Sequence, residues 1–65
     1  MRILVNGVSH DTHAVKLAAA LGELGYGDKV VATAVNGEFV SAEARAHTSL
    51  AEGDRIEVLA PMQGG

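Results

Sequence analysis

The sequence has no cysteine, no tryptophan and one proline, and its aromatic residues are Tyr26 and Phe39. Without cysteine the chain can form no disulfide, no thiolate metal site and no cysteine nucleophile. Because aromatic side chains are so scarce, valine, leucine, isoleucine and alanine must fill the core. We therefore expect a core of small aliphatic side chains and no thiol chemistry.

The chain also has no cluster of basic residues and no long apolar run. Eight acidic and five basic residues give a formal net charge of −3 at pH 7. The absence of a basic run argues against binding to nucleic acid, and the longest apolar run is far too short for a membrane span. Residues 1–6 do not have the form of a signal peptide. We expect a cytoplasmic protein with neither a nucleic-acid nor a membrane partner.

The composition present is that of one small globular domain. Apolar residues make up 48% of the chain, and a domain of this size buries about 60% of the surface that its unfolded chain exposes. Pro61 has a fixed φ and no amide hydrogen, so it is a natural place for a strand to end. We therefore predict a domain over residues 1–60, followed by a flexible tail over residues 61–65.

Hydrophobic patterning predicts the element order β-β-α-β-β-β. Asn6-Gly7 and Asn36-Gly37 are dipeptides suited to the positive φ angles of type I′ hairpin turns. In the last strand, period-two alternation places Ile56, Val58 and Ala60 on one face. The predicted strands cover residues 2–6, 8–10, 30–35, 38–40 and 55–60.

Helical spacing of apolar residues follows the first hairpin. Asp11 or Thr12 is predicted to be the N-cap of this helix, and Gly25 the residue just past its end. The apolar positions that share one predicted face are Ala14, Leu17, Ala18, Leu21 and Leu24. A helix over a small mixed sheet belongs to the α+β two-layer folds.

Three further expectations complete this fold. The strand over residues 30–35 has apolar residues on both faces, which predicts a central strand covered on both sides. Ser41 is expected to cap a helical turn that ends at Arg45, and Leu50 is expected to fill the core from a loop. If the first and last strands both lie inside the sheet, the last strand is anchored along its length.

No set of residues forms a convincing catalytic or metal-binding constellation. The histidines, His10, His13 and His47, are best explained as solvated turn residues, since they make no complete ligand set. Gly22, Gly25 and Gly27 follow a helix and do not precede one, unlike a phosphate-binding loop. We predict that the chain is not an enzyme, has no catalytic residues, and binds neither a metal ion nor a permanent cofactor.

Phe39 is open to two interpretations. It can belong to the core, or it can join Leu59 and Met62 in an exposed apolar patch where a partner enzyme docks. The sequence does not separate these two possibilities.

The last residues, Pro61 to Gly65, end in two glycines. Neither glycine has a Cβ, so the pair can extend into a channel too narrow for any side chain and present a carboxylate at its far end. Met62 and Gln63 precede the glycines and are candidates for tail recognition. The alternative is a disordered terminus that contains glycine by chance.

These features together resemble the ubiquitin-like β-grasp sulfur carriers, specifically the thiamine-pathway ThiS family. The resemblance covers essentially the whole chain, and two places depart from the family pattern. The second strand, at residues 8–12, is abbreviated, and Met62-Gln63 stands where smaller or more apolar residues are usual. The segments that carry the resemblance are residues 2–7, 34–40, 50–58 and Gly64-Gly65.

The resemblance implies a reaction sequence in which the chain is the carrier. A ubiquitin-activating-type adenylyltransferase (ThiF-like) would use ATP and Mg²⁺ to adenylate the Gly65 carboxylate, which is ionised at neutral pH because such groups have pKa values of about 3.3 to 3.7. A persulfide from a cysteine desulfurase relay would displace AMP and leave a thiocarboxylate. A thiazole synthase (ThiG-like) would receive the sulfur. Gly65 is then the modified residue, and Gly64 is the steric requirement.

Two other functions stay open at this point. The same chemistry serves other pathways, such as molybdopterin synthesis and the thiolation of cysteine precursors or tRNA. More distantly, the chain could be a noncatalytic β-grasp interaction module with an incidental Gly-Gly, or a modifier that is joined to lysines. Extension of the C-terminus by one residue distinguishes these classes. A carrier or a conjugated modifier should lose all function, whereas an interaction module should keep it.

Overall fold

A computed structural model describes residues 1–60, which form five strands, one α-helix and one 3₁₀ helix. The predicted element order is confirmed, with the 3₁₀ helix as an addition. Within these residues no helix has the length and apolar content needed to cross a membrane. The elements are β1 (Arg2–Val5), β2 (Val8–Asp11), α1 (Leu17–Glu23), β3 (Ala32–Val35), β4 (Glu38–Val40), the 3₁₀ helix (Arg45–His47) and β5 (Arg55–Leu59).

The strands form one mixed sheet in the order β2-β1-β5-β3-β4. β1 and β5 are parallel, with Val5 opposite Ile56, whereas the other neighbouring pairs are antiparallel. The first and last strands therefore both lie inside the sheet, which meets the condition stated above for an anchored last strand. β5 is the third of the five strands and is therefore the central one.

Both Asn-Gly dipeptides form the predicted tight turns. Asn6 and Gly7 have φ angles of 51° and 83°, and Asn36 and Gly37 have φ angles of 50° and 85°. Positive φ at both central residues is the requirement of a type I′ turn, whose twist matches that of the flanking strands. These turns close the β1–β2 and β3–β4 hairpins.

The core lies between α1 and one face of the sheet, here called the inner face. Leu17 and Ile56 are almost completely buried, at 0% and 1% exposure, and burying side chains of this size stabilises the fold by about 1.5–3 kcal/mol each. Leu50 also lies in the core, as predicted. The buried apolar residues are Ile3, Val5, Ala14, Leu17, Ala20, Leu21, Leu50, Ile56 and Val58.

The prediction for the start of the helix was wrong. α1 begins at Leu17 with Lys16 as the N-cap, and β2 extends to Asp11. Residues 14–16 are held by tertiary hydrogen bonds, since Leu50 N–H donates to the Val15 carbonyl and Leu17 N–H donates to the Thr48 carbonyl, both at 2.9 Å. These long-range hydrogen bonds take the place of local helical hydrogen bonds, so α1 begins only at Leu17.

The predicted apolar face of the helix needs one correction. Ala18 is exposed and Ala20 is fully buried. Because the sheet covers only a narrow stripe of α1, the buried positions are Leu17, Ala20 and Leu21, spaced by three and four residues. Ala18 lies just outside this stripe.

Two strand predictions also need correction at their ends. β3 begins at Ala32, not at residue 30, and Val30 is 82% exposed. β5 ends at Leu59, and Ala60 is exposed instead of sharing a buried face with Ile56 and Val58. β3 was predicted to be central, but the central strand is β5, and β3 lies between β5 and the edge strand β4. α1 covers only the inner face of β3, so β3 is not covered on both sides within residues 1–60.

A short irregular segment connects β4 to β5. Ser41 Oγ accepts a hydrogen bond from Ala44 N–H at 3.3 Å, so it caps a turn as predicted, and the 3₁₀ helix follows. The Arg45 guanidinium then donates to the Val31 carbonyl at 2.6 Å and to Thr33 Oγ1 at 3.0 Å. This side chain ties the connection to the start of β3.

Candidate functional site: the outer face of the sheet and the end of β5

The second face of the sheet, here called the outer face, points away from α1. Because side chains alternate along a strand, Ile56 and Val58 point to the core and the other residues of β5 point outward. Across β3, Phe39 lies opposite Ala34 and Leu59 lies opposite Ala32. Ala32 and Ala34 are two positions apart, so Phe39 and Leu59 share the outer face.

The two predicted docking residues are large, exposed apolar side chains of this face. Phe39 is 74% exposed and Leu59 is 67% exposed, so the possibility that Phe39 belongs to the core is wrong. Exposed apolar side chains on one face are typical of surfaces that bind another protein. The outer face therefore presents two large apolar side chains to solvent.

Leu59 lies between two open depressions. One, of about 440 Å³, is lined by both Asn-Gly turns together with Arg55 and Glu57. The other, of about 290 Å³, is lined by Val30, Val31, Ala32 and Ala60 and is almost entirely apolar. Leu59 thus lines both depressions, of which the second is the more apolar.

The end of β5 is fixed from the side of β1 by a residue that sequence reasoning assigned only to a turn. The Asn6 side chain donates from Nδ2 to the Val58 carbonyl at 3.1 Å, and its Oδ1 accepts from Val58 N–H at 2.9 Å. The two residues are 52 positions apart, so no local pattern indicates the contact. Only the parallel pairing of β1 and β5 brings them together.

The predicted tail residues, Met62, Gln63, Gly64 and Gly65, lie outside the described residues, as does the predicted tail over 61–65. What the structure places is the strand that precedes them. β5 runs through the centre of the sheet and ends at Leu59.

The polar residues that could have suggested other chemistry have structural contacts. Glu52 Oε1 accepts from Arg2 N–H at 3.0 Å, and the Asp54 carboxylate accepts from Ala51 N–H at 2.8 Å. Among residues 1–60 no group of three or more histidine, aspartate or glutamate side chains is arranged to hold a metal ion. The carboxylates at this turn serve to satisfy backbone amides.

A five-stranded mixed sheet with parallel first and last strands, two antiparallel hairpins and a helix packed across one face defines the ubiquitin-like β-grasp class. Solved structures support this assignment. A crystal structure of the thiamine biosynthesis protein ThiS from Geobacter metallireducens is 29% identical, with a TM-score of 0.83 and 100% of both chains covered.

A solution structure of a thiamine biosynthesis protein from the same organism is 32% identical, with a TM-score of 0.78, and covers 100% of this chain and 88% of that one. The comparison with curated protein sequences found no match. The ThiS family profile matches residues 3–65. The chain therefore belongs to the ThiS family.

Proposed function

We propose that this chain is the sulfur carrier that supplies the thiazole of thiamine, and that it acts in the cytoplasm. Its Gly65 carboxylate is adenylated by a partner enzyme and converted to a thiocarboxylate. Support comes from membership of the ThiS family and from the similarity to solved structures of thiamine biosynthesis proteins. The family match extends to residue 65 and so includes Gly64-Gly65.

The observation that carries the proposal is the position of β5. This strand has β1 on one side and β3 on the other, and its next residues in the sequence lead to Gly64-Gly65. A strand held on both sides resists displacement, so its last residue, Leu59, keeps a constant place relative to the outer face. A partner that binds the folded domain can then also bind the Gly65 carboxylate.

The chemistry requires activation of the carboxylate by a partner. The Gly65 carboxylate attacks the α-phosphorus of ATP, pyrophosphate leaves, and the resulting acyl-adenylate has AMP as a leaving group. The terminal sulfur of a protein persulfide then forms the C–S bond as AMP departs. A thiol cleaves the remaining S–S bond, and the thiocarboxylate is released.

In this proposal every catalytic group belongs to the partners. The adenylyltransferase supplies the ATP and Mg²⁺ site, a desulfurase relay supplies the persulfide, and a thiazole synthase accepts the sulfur. The chain contributes a body that docks through Phe39 and Leu59, and a C-terminal segment in which Gly64, Gln63 and Met62 are recognised. Absence of a Cβ at Gly64 lets this segment enter a narrow channel.

Intact mass measurement of the protein isolated from its own cells tests the proposal. The chain has no cysteine, so any thiol-specific alkylation reports sulfur that was added after translation. We expect replacement of one oxygen by sulfur, located at Gly65, and alkylation at that residue. A variant with one extra residue after Gly65 is the control, and it should fold equally well and stay unmodified.

Other outcomes distinguish the alternative functions. An unchanged mass after incubation with the adenylyltransferase, ATP and a sulfur donor would favour an interaction module. Isopeptide-linked species would favour a modifier of lysines. A thiocarboxylate that forms but does not support thiazole synthesis would place the same carrier chemistry in another pathway.

A further inference from the structure

The contact between Asn6 and Val58 continues the sheet beyond the end of β1. The last backbone hydrogen bond in this region runs from Asn6 N–H to the Ile56 carbonyl at 2.9 Å. The chain then turns back at Gly7 to form β2. From this point β1 provides no further backbone groups to β5.

The Asn6 side-chain amide takes the place of that missing backbone. It places an N–H donor and a carbonyl acceptor side by side, as a peptide group does, and it binds the carbonyl and N–H of Val58 at 3.1 and 2.9 Å. Val58 is 5% exposed in the folded protein, and Asn6 satisfies both of its backbone groups on this side, where an unpaired group would be costly. Asn6 thus fixes β5 to within one residue of its end.

We propose that Asn6 is a positioning residue for the carboxylate that leaves the domain after β5, an inference that rests on the proposed function. The amide keeps Val58 in the sheet, so Leu59, the last residue of β5, is held at a constant point from which the sequence continues to the carboxylate. Orientation of this kind contributes to the rate of a reaction between a bound carboxylate and bound ATP.

Asn36 provides a matched control within the same molecule. It occupies the equivalent position of the second Asn-Gly turn, with φ of 50° against 51° for Asn6. Its Oδ1 accepts from Arg55 N–H at 3.0 Å, and its Nδ2 donates to Asp54 Oδ1 at 3.0 Å. Asn36 therefore holds the beginning of β5, and Asn6 holds its end.

The first test compares Asn6→Gly with Asn36→Gly by amide hydrogen exchange. Glycine accepts a positive φ without strain, so each variant loses the side-chain amide and keeps the turn. We expect Asn6→Gly to speed exchange of the Val58 amide by about five- to thirtyfold, the effect of losing one or two hydrogen bonds. Asn36→Gly should instead speed exchange of the Arg55 amide.

The second test measures ATP–pyrophosphate exchange by the cognate adenylyltransferase with each variant as carrier. We expect kcat with Asn6→Gly to fall by at least about tenfold, because the carboxylate is less well oriented. The KM for the carrier should stay close to the wild-type value, because the outer face is intact. With Asn36→Gly, both constants should match the wild type.

Asn6→Asp provides a second variant if the glycine variant folds poorly. Aspartate tolerates the same positive φ and keeps the acceptor for Val58 N–H, but it has no donor for the Val58 carbonyl. We expect a kcat between those of the wild type and Asn6→Gly. A purely structural role would change the fraction of folded protein and would not give a graded kcat at constant KM.

Two results would overturn the inference: a wild-type kcat with Asn6→Gly, or an equal loss of kcat with Asn6→Gly and Asn36→Gly. If the wild-type chain itself supports no exchange, the proposed function has failed. The amide exchange measurement then still tests whether Asn6 fixes the end of β5. An unchanged exchange rate of the Val58 amide in Asn6→Gly would refute this structural part of the inference.

Discussion

Two glycines three positions apart have opposite effects on the stability of α1. Gly22 lies inside the helix, and a Cβ added there would meet no atom within 4 Å. Gly25 follows the helix with a φ of +91°, a conformation that side chains with a Cβ rarely adopt. The first glycine weakens the helix, and the second allows it to end.

Alanine substitution should therefore change stability in opposite directions at these positions. We expect Gly22→Ala to stabilise the protein by about 0.5–1 kcal/mol, because alanine loses less backbone entropy in a helix. Gly25→Ala should destabilise it by about 1 kcal/mol or more, because the left-handed conformation is strained for alanine. Urea unfolding of the two variants measures both values, and equal signs would contradict this account.

For the two asparagines, the sequence predicts the backbone conformation but not the side-chain hydrogen bonds. The Asn-Gly dipeptides predicted both turns, because positive φ is a local property that these two residues tolerate. The hydrogen bonds of Asn6 to Val58 and of Asn36 to Arg55 were not predictable, since they depend on which strand lies beside each turn.

At the scale of elements, β5 contributes side chains to the core from one face and to the outer surface from the other. Ile56 and Val58 pack in the core, and Arg55, Glu57 and Leu59 point outward. Strict alternation in a strand allows one segment to stabilise the domain and to present a surface to a partner.

This division predicts different results for two substitutions in the same strand. Ile56→Ala should reduce the free energy of unfolding by about 2–5 kcal/mol, because Ile56 is 1% exposed and its removal leaves a cavity. Leu59→Ala should change it by no more than about 0.5 kcal/mol, because Leu59 is 67% exposed. Chemical denaturation tests both, and a large loss with Leu59→Ala would show that Leu59 is a core residue.

The buried leucines of α1 could be predicted from the sequence, but the residue at which the helix begins could not. Its buried residues Leu17 and Leu21 were identified from their spacing, but its start was placed about one turn too early. Residues 14–16 pair with the loop before β5 through the Lys16–Ser49 bridge. Local spacing contains no information about such a distant partner.

At the scale of the whole molecule, one layer of helix covers one face of the sheet, and the outer face has no covering element within residues 1–60. Leu59, on the central strand β5, and Phe39, on the edge strand β4, lie on that face, and β5 leads in the sequence to Gly64-Gly65. A partner that binds this face is therefore brought close to the end of β5.

Phe39→Ala should weaken binding to the adenylyltransferase without weakening the fold. Truncation of an aromatic residue that anchors an interface commonly costs 2 kcal/mol or more, so we expect the dissociation constant to rise by roughly thirtyfold. The free energy of unfolding should change little, since Phe39 is 74% exposed.

Val15→Ala is the matched control for this measurement. Val15 is 66% exposed and lies before α1, away from the sheet, so its loss should leave affinity unchanged. Isothermal titration calorimetry measures both variants. Equal affinity for Phe39→Ala and the wild type would exclude Phe39 from the docking surface.

The sequence by itself determined the strand order along the chain, the two Asn-Gly turns, the core positions of Leu17 and Ile56, and the likeness to the ThiS family. These features follow from local conformational preference and from the periodic burial of apolar side chains. The tertiary structure alone decided that Phe39 is exposed, that α1 starts at Leu17, and that Asn6 binds Val58. The start of α1 and the contact of Asn6 with Val58 depend on residues distant in the chain, and the exposure of Phe39 depends on which face of the sheet α1 covers.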